Sequence, residues 1–364
     1  MRPGSVGGEK VQSYQNTRVL VTGHTGFKGS WLCKMLLLRG ATVTGYALSP
    51  DTAPSLFSLS GLSKHMDSRI GDVRDSERLE AVYKEAKPDI VFHLAAQPIV
   101  RVGYENPAYT YETNVMGVVH LLECIRNNPC ASFVNVTTDK VYRPESWPWG
   151  YRETDRLDGY DAYASSKTCA ELVTRCYRDC FLAEKGVAAS TVRAGNVIGG
   201  GDFARDRIMP DCVRSALQGE VIGVRNPHAI RPYQHVLEPL YAYLSLAQQQ
   251  REDPSLSDGY NIGPAFSDCI TTGELADLFC TYFGASWQCR QDAQGPKEAA
   301  VLRLDCAKAL QKLGFHPIWS IERAVAETVS FAKAYQRGEN LNRVMEEQIL
   351  MYCKEQEVRS KGYA

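Results

Sequence analysis

Val19-Leu-Val-Thr-Gly23-His-Thr-Gly26-Phe-Lys-Gly29 is the stretch that decides the fold. Arg18 to Thr22 reads as a buried strand, Ser30 to Arg39 as an apolar helix, and Ala41 to Ala47 as the next strand, so the chain opens with a βαβ unit. In the intervening turn the first glycine allows a tight bend and the second lets the backbone approach a pyrophosphate. The third brings helix and strand close, and the diphosphate then sits at the helix N-terminus.

The alternation continues. A charged helix at Ser76 to Ala86 precedes a strand within Pro88 to Ala96, and a helix at Tyr111 to Arg126 precedes a strand at Ser132 to Thr138. A helix running to about Phe181 precedes a strand at Ala188 to Arg193. This pattern predicts an α/β fold, a Rossmann-type doubly wound parallel sheet whose ligand crevice lies at the carboxyl ends of the strands. Beyond it the pattern loosens into loops at Gly195 to Gly201, Arg225 to Gln234 and Gly259 to Pro264. Helices at Gly273 to Phe283 and Ile321 to Arg337 are expected to pack a smaller C-terminal α/β lobe, with a polar tail beyond Gly338.

The bulk properties exclude several classes. The 364 residues are 44% hydrophobic and 23% charged, ordinary for a globular protein with a full core. With 41 basic against 42 acidic residues the net charge is -1, which argues against nucleic acid or an anionic membrane as partner. The 12 cysteines are scattered without a Cys-x-x-Cys, so reduced thiols are expected rather than disulfides or zinc, and no metal site is read. Met1 to Asn16 lacks the apolar core of a signal peptide and no window approaches a membrane span, so a cytoplasmic protein is expected.

Far downstream stands Tyr163-Ala-Ser-Ser-Lys167. On a helix the Tyr and Lys share one face, so the ammonium can favour a phenolate. A phenolate beside a bound nicotinamide can take a hydroxyl proton while hydride leaves the carbinol carbon. Thr138, Asp139 and Lys140 follow a strand at the edge where such chemistry happens. Oxidising an alcohol needs Thr138 and Tyr163 but no further carboxyl and amine, so more than oxidation is implied. At the end of the second strand, Gly45-Tyr-Ala-Leu-Ser49 lacks the acidic residue that binds an NAD ribose, which leaves NAD against NADP open. Lys28 is one group that could hold a ribose phosphate. Asp75 fits a helix N-cap better than Asp72 does, and His93 reads as a core or strand-end residue.

The chain resembles the extended short-chain dehydrogenase/reductase family, and within it the 4,6-dehydratases of nucleotide-diphosphate sugars. The likeness rests on Val21 to Trp31, His93-Leu-Ala-Ala-Gln-Pro98, Thr113-Asn-Val-Met-Gly117, Thr138-Asp-Lys140, Trp149 to Glu153, Gly159-Tyr-Asp161 and Tyr163 to Lys167. Val192 to Asp202, Ile230 to Pro239 and Leu313 to Pro317 extend it over residues 18 to 337. Relatives acting on dTDP-glucose carry Asp-Glu where Thr138-Asp-Lys140 stands, so the resemblance implies CDP-D-glucose as substrate. The product would be CDP-4-keto-6-deoxy-D-glucose and water, with NAD as a catalytic cofactor. It implies that Tyr163, helped by Lys167 and Thr138, deprotonates the C4 hydroxyl, Lys140 takes the C5 proton, and Asp139 protonates the departing C6 hydroxyl.

The same resemblance implies a cofactor site of Gly23, Thr25, Gly26, Phe27, Lys28, Gly29, Asp72, Val73, Leu94, Ala95, Ala96 and Thr113, with Tyr163 and Lys167. Substrate contacts are expected from Gln97, Asn114, Asn196 and His235, and from Arg205, Arg207, Arg231 and Arg303, whose planar forks suit phosphate oxygens. Residues 17–190 would form mainly the NAD-binding domain and 191–340 mainly the nucleotide-sugar lobe, interleaved, with 1–16 and 341–364 as tails. A homodimer or dimer of dimers, paired through the Tyr111 and Tyr163 helices, is expected. Gly295-Pro-Lys-Glu-Ala299 departs from the His-Pro-His-Glu-Ala of the family. An epimerase or decarboxylase of the same family needs no adjacent Asp-Lys pair, and a non-catalytic dinucleotide sensor would not need Tyr163 and Lys167 together.

Overall fold

The computed structural model describes residues 13–290 and 301–362, so Gly295 to Ala299 lies outside the described residues. The opening unit forms as read, with β1 (Arg18–Thr22), α1 (Phe27–Leu38) and β2 (Thr42–Ala47) in succession. Then come α2 (Leu56–Ser60), β3 (Asp67–Ile70), α3 (Ser76–Ala86) and β4 (Ile90–His93). Asp75 caps α3 by accepting from the Arg78 amide. Next, α4 (Val100–Glu105), α5 (Pro107–Tyr111) and α6 (Gly117–Asn127) lead to β5 (Ser132–Val136), and α7 (Ala162–Tyr177) to β6 (Ala188–Ala194). A π turn at Glu112–Met116 joins α5 to α6, so the helix read over Tyr111 to Arg126 carries a bulge where Thr113 and Asn114 stand.

The second half adds β7 (Val197–Ile198), α8 (Ile208–Leu217), β8 (Ile222–Val224), β9 (Ile230–Arg231), β10 (Gln234–His235) and α9 (Leu237–Glu252). It continues with β11 (Gly259–Ile262), β12 (Ile270–Thr271), α10 (Thr272–Phe283), β13 (Trp287–Cys289), α11 (Ala307–Leu313), α12 (Ile321–Gln336) and α13 (Leu341–Gly362). The main sheet has seven strands in the order β11-β6-β5-β4-β1-β2-β3, all paired in parallel. Strand order reverses between β1 and β4, which opens the crevice at their carboxyl ends.

One core lies between the sheet and α1, α9 and α13, and contains Trp31, Leu36, Leu240, Tyr243 and Met345. The opposite face is covered by α3, α6 and α7 through Leu79, Leu121, Ile125 and Ala170. A third cluster, with Cys212, Phe279 and Val325 from α8, α10 and α12, builds the smaller lobe.

Two expectations are corrected. Gly259–Ile262, read as loop, is the fully buried edge strand β11, paired with β6 from Gly259 opposite Thr191 to Ile262 opposite Ala194. Residues 341–364, read as a tail, contain α13, whose Leu341, Met345, Ile349 and Tyr352 are buried at helical spacing. Polar bonds fasten it as well. Lys34 of α1 donates to Asn342 at 2.7 Å and to Glu346 at 2.8 Å, and Tyr352 donates to Glu238 of α9 at 2.7 Å.

Candidate active site

The glycine turn is shaped for close approach. Gly23 has a φ of +76°, a conformation that disfavours a side chain, and a Cβ there would lie 2.7 Å from the Ala95 amide nitrogen. A Cβ on Gly29 would be driven into the Gly23 carbonyl. Gly26 is exposed at the N-terminus of α1, leaving its outer side open. Leu94, Ala95 and Ala96, half-exposed, line the other side of this turn. These residues fit a dinucleotide pyrophosphate laid over the helix N-terminus.

Other residues expected at the cofactor divide. Thr25 is buried and donates to the Leu48 carbonyl at 2.9 Å, tying the turn to the end of β2. Phe27 packs toward Gly199 and Thr113 is buried. Val73 is core, packed beneath Gly117. The Asp72 carboxylate is clamped by the Arg74 guanidinium at 2.7 and 3.0 Å and held below its usual range, though burial opposes this. The Lys28 ammonium lies within electrostatic reach of Asp139 and Asp202, and burial with the charge of Arg207 lowers it to about 8.

The segment after β5 carries Thr138, Asp139 and Lys140 in a single 3₁₀ turn, and α7 presents Tyr163 and Lys167 to it. Thr138 Oγ1 donates to Asp139 Oδ1 at 3.1 Å and stands near the Tyr163 phenol. Asp139 is 2% exposed, and burial raises its carboxyl above the usual range despite Lys140, Thr138, Arg231 and Lys28. Tyr163 is raised to about 12 by burial, with Thr138 and Arg207 pulling it down. The Lys167 ammonium donates to the Val136 carbonyl at 3.1 Å and is lowered to about 8 by burial and by Lys28. One cleft thus holds a phenol and hydroxyl pair beside a carboxyl and amine pair, which equips it for two successive proton transfers.

The residues expected to contact substrate separate into two groups. Arg231 is buried and within electrostatic reach of Asp139, and Arg207, paired with Asp202 at 3.3 Å, lies near Tyr163 and Lys28. Arg205 is exposed on the loop before α8. Asn196 follows Gly195, which abuts Asp139, and its carbonyl accepts from the Gln234 amide. Arg303 stacks on Phe266 at 4.2 Å and donates to the Pro148 carbonyl.

Gln97, Asn114 and His235 are buried among partners of the protein's own. The Gln97 backbone N–H donates to Asn114 Oδ1 at 2.8 Å, and Asn114 Nδ2 donates to Ser166 Oγ at 2.9 Å, clasping α7 to the loop after β4. Amides buried this deeply spend their bonds on each other. His235 is fully buried edge-on to Trp319 and Trp31, and burial lowers it to about 3. His93, at 1% exposure, bonds Thr22 Oγ1 at 2.7 Å, the strand-end role expected of it.

Sequence reasoning missed Glu171 and Arg193, which form a buried ion pair at 2.8 Å behind the catalytic segment. Glu171 continues the four-residue spacing of Tyr163 and Lys167, and that was the available signal. Among the described residues no group of three or more His, Cys, Asp or Glu could hold a metal, and no helix is long and apolar enough to cross a membrane.

The chain is similar to known proteins over nearly its full length. It is 48% identical to the CDP-glucose 4,6-dehydratase of Salmonella typhimurium across 90% of this chain and 94% of that protein. Among solved structures, the dTDP-glucose 4,6-dehydratase of Bacillus anthracis in complex with NAD superposes with a TM-score of 0.73 at 22% identity, covering 89% of this chain and 99% of that one. The UDP-glucose 4-epimerase of Stenotrophomonas maltophila, with NAD and formylated UDP-arabinopyranose bound, gives 0.77 at 22% identity, covering 89% and 100%. The family model described as GDP-mannose 4,6 dehydratase matches residues 20–328. With that match and the near-half identity to one dehydratase, the chain belongs to the GDP-mannose 4,6 dehydratase family, within the extended short-chain dehydrogenases/reductases.

Proposed function

We propose that the protein is an NAD-dependent hydro-lyase that converts CDP-D-glucose to CDP-4-keto-6-deoxy-D-glucose and water. The observation that carries this reading is that Thr138, Asp139 and Lys140 share one turn and Tyr163 of α7 stands beside it. The 48% identity to a CDP-glucose 4,6-dehydratase supports the choice of base.

The glycine turn with Leu94, Ala95 and Ala96 would hold NAD, which accepts a hydride from C4 of the sugar and returns it to C6. Tyr163, with Thr138 and Arg207 favouring its phenolate, takes the C4 hydroxyl proton. The resulting 4-keto group acidifies the C5 proton, which Lys140 removes. Asp139, whose carboxyl burial raises above its usual range, gives its proton to the C6 oxygen as water departs. Arg231 and Arg207 suit the diphosphate by charge and planar geometry.

The reading extends to a homodimer formed through α6 and α7, supported by exposed apolar groups on and beside them: Leu172 on α7, Met116 just before α6 and Phe181 just after α7. Twelve free cysteines suit a reducing cytoplasm.

Mass spectrometry of products from a panel of nucleotide sugars tests the proposal. Loss of water from CDP-glucose is expected. Loss from another nucleotide sugar would reassign the base, and isomerisation at C4 without loss of water would replace the dehydratase with an epimerase.

A further inference from the structure

Helix α7 meets β5 along a polar seam. Asn135 Nδ2 donates to Thr174 Oγ1 at 2.9 Å, Thr137 Oγ1 donates to Glu171, Lys167 donates to the Val136 carbonyl, and Thr168 Oγ1 donates to the Val141 carbonyl at 3.1 Å. Glu171 is the hub. At 3% exposure its carboxylate accepts from Thr137 Oγ1, from Thr191 Oγ1 at 2.6 Å, and from Arg193 Nε and Nη2 at 3.0 and 2.8 Å. Arg193 Nη1 donates to the Tyr142 phenol at 2.7 Å, which donates to Asn261 Oδ1 at 2.7 Å. Thr137 and Tyr142 flank the Thr138-Asp139-Lys140 turn, so both of its ends are tied to one carboxylate.

The turn needs those ties. Its own bonds are long: the Lys140 amide reaches Thr138 Oγ1 at 3.4 Å and the Val141 amide reaches the Thr138 carbonyl at 3.4 Å. Such bonds lie at the weak end of the distance range and do not fix a turn by themselves. A buried carboxylate with every donor supplied is rigid.

We infer that Glu171 is a positioning residue for the elimination step: through Thr137 on one side and Arg193 with Tyr142 on the other, it sets where Asp139 and Lys140 stand relative to Tyr163. The inference rests on the dehydratase reading. Tyr163 and Lys167 belong to α7 itself, about two turns and one turn before Glu171, so loosening the anchor costs elimination, which takes both Asp139 and Lys140 from the turn, more than oxidation, which takes only Thr138 from it.

The test uses NAD-loaded protein and CDP-glucose, with Thr137→Val and Glu171→Gln. In Thr137→Val, water loss should slow about tenfold while the first-turnover rise of reduced cofactor stays within about threefold of wild type. Hydrogen exchange of the substrate-free variant should quicken across residues 138–142 and stay unchanged in α7. Glu171→Gln should show the same split more strongly. If it does not fold, Thr137→Val, which leaves the Glu171–Arg193 pair intact, decides alone. Equal loss of both steps, or unchanged exchange at 138–142, overturns the inference. A wild-type protein that reduces its cofactor with CDP-glucose but releases no water overturns the dehydratase reading, and this one with it, before any variant is made.

Discussion

The ammonium of Lys167 is bonded to the carbonyl of Val136, 3.1 Å away, and so is pinned to the last residue of β5. The lysine therefore fixes α7 to the strand that delivers the catalytic turn, while Thr138 and Arg207 favour the charged form of Tyr163.

Tyr163→Phe should abolish cofactor reduction, lowering the first-turnover rate about a thousandfold. Tyr163 is only 9% exposed and keeps its ring in the variant, so the melting temperature should match wild type. Rapid reduction of bound NAD in that variant would assign the C4 base elsewhere.

The two half-reactions should respond to pH in opposite directions. Burial raises the phenol of Tyr163 to about 12, so oxidation, which needs phenolate, speeds up as pH rises through the alkaline range. Burial also raises the carboxyl of Asp139, and elimination, which needs its proton, slows as pH passes its raised value. Separate rates for cofactor reduction and water loss across pH check both signs. Asp139→Asn should leave oxidation near wild type, cut elimination about a hundredfold at low pH, and remove the wild-type decline as pH rises.

Lys140→Met should oxidise C4 at a nearly normal rate and leave C5 untouched, so solvent deuterium should not enter C5. Normal incorporation would return Lys140 to a charge partner of Asp139.

A stability effect should come from Glu238. It is fully buried, accepts from the Ile318 and Trp319 amides and the Tyr352 phenol, and is raised from 4.5 to about 7 by burial. A raised folded-state value favours the protonated native protein, so its stabilising contribution is complete below pH 4.5 and is lost as pH climbs through 7. The loss should be on the order of 3 kcal/mol. Glu238→Gln should flatten that part of the pH–stability curve in denaturant melts.

The Rossmann half was legible because β1, β4, β5 and β6 are apolar runs, and because Gly23 and Gly29 mark a turn that few other residues permit. β3 was not, since Asp67–Ile70 is a polar edge strand with no apolar face to display. β11 begins with glycine and carries Asn261, whose amide nitrogen donates to the carbonyls of Tyr151 and Asp305, a purpose invisible without the fold. In the site, motifs located Thr138, Tyr163 and Lys167 together. They could not separate Arg231, which faces Asp139, from His235, which faces Trp319, because both belong to one matching run and differ only in direction.

Helix α13 makes the order of synthesis matter. Tyr14 and Tyr352 belong to the same core, and Met345 and Ile349 cover the helix that follows the glycine turn. Until Met345 and Ile349 leave the ribosome, α1 keeps an apolar flank open to water, however completely β1 to β6 have paired. A chain that stalls or is clipped before Leu341 therefore carries an adhesive surface that chaperones and proteases can detect.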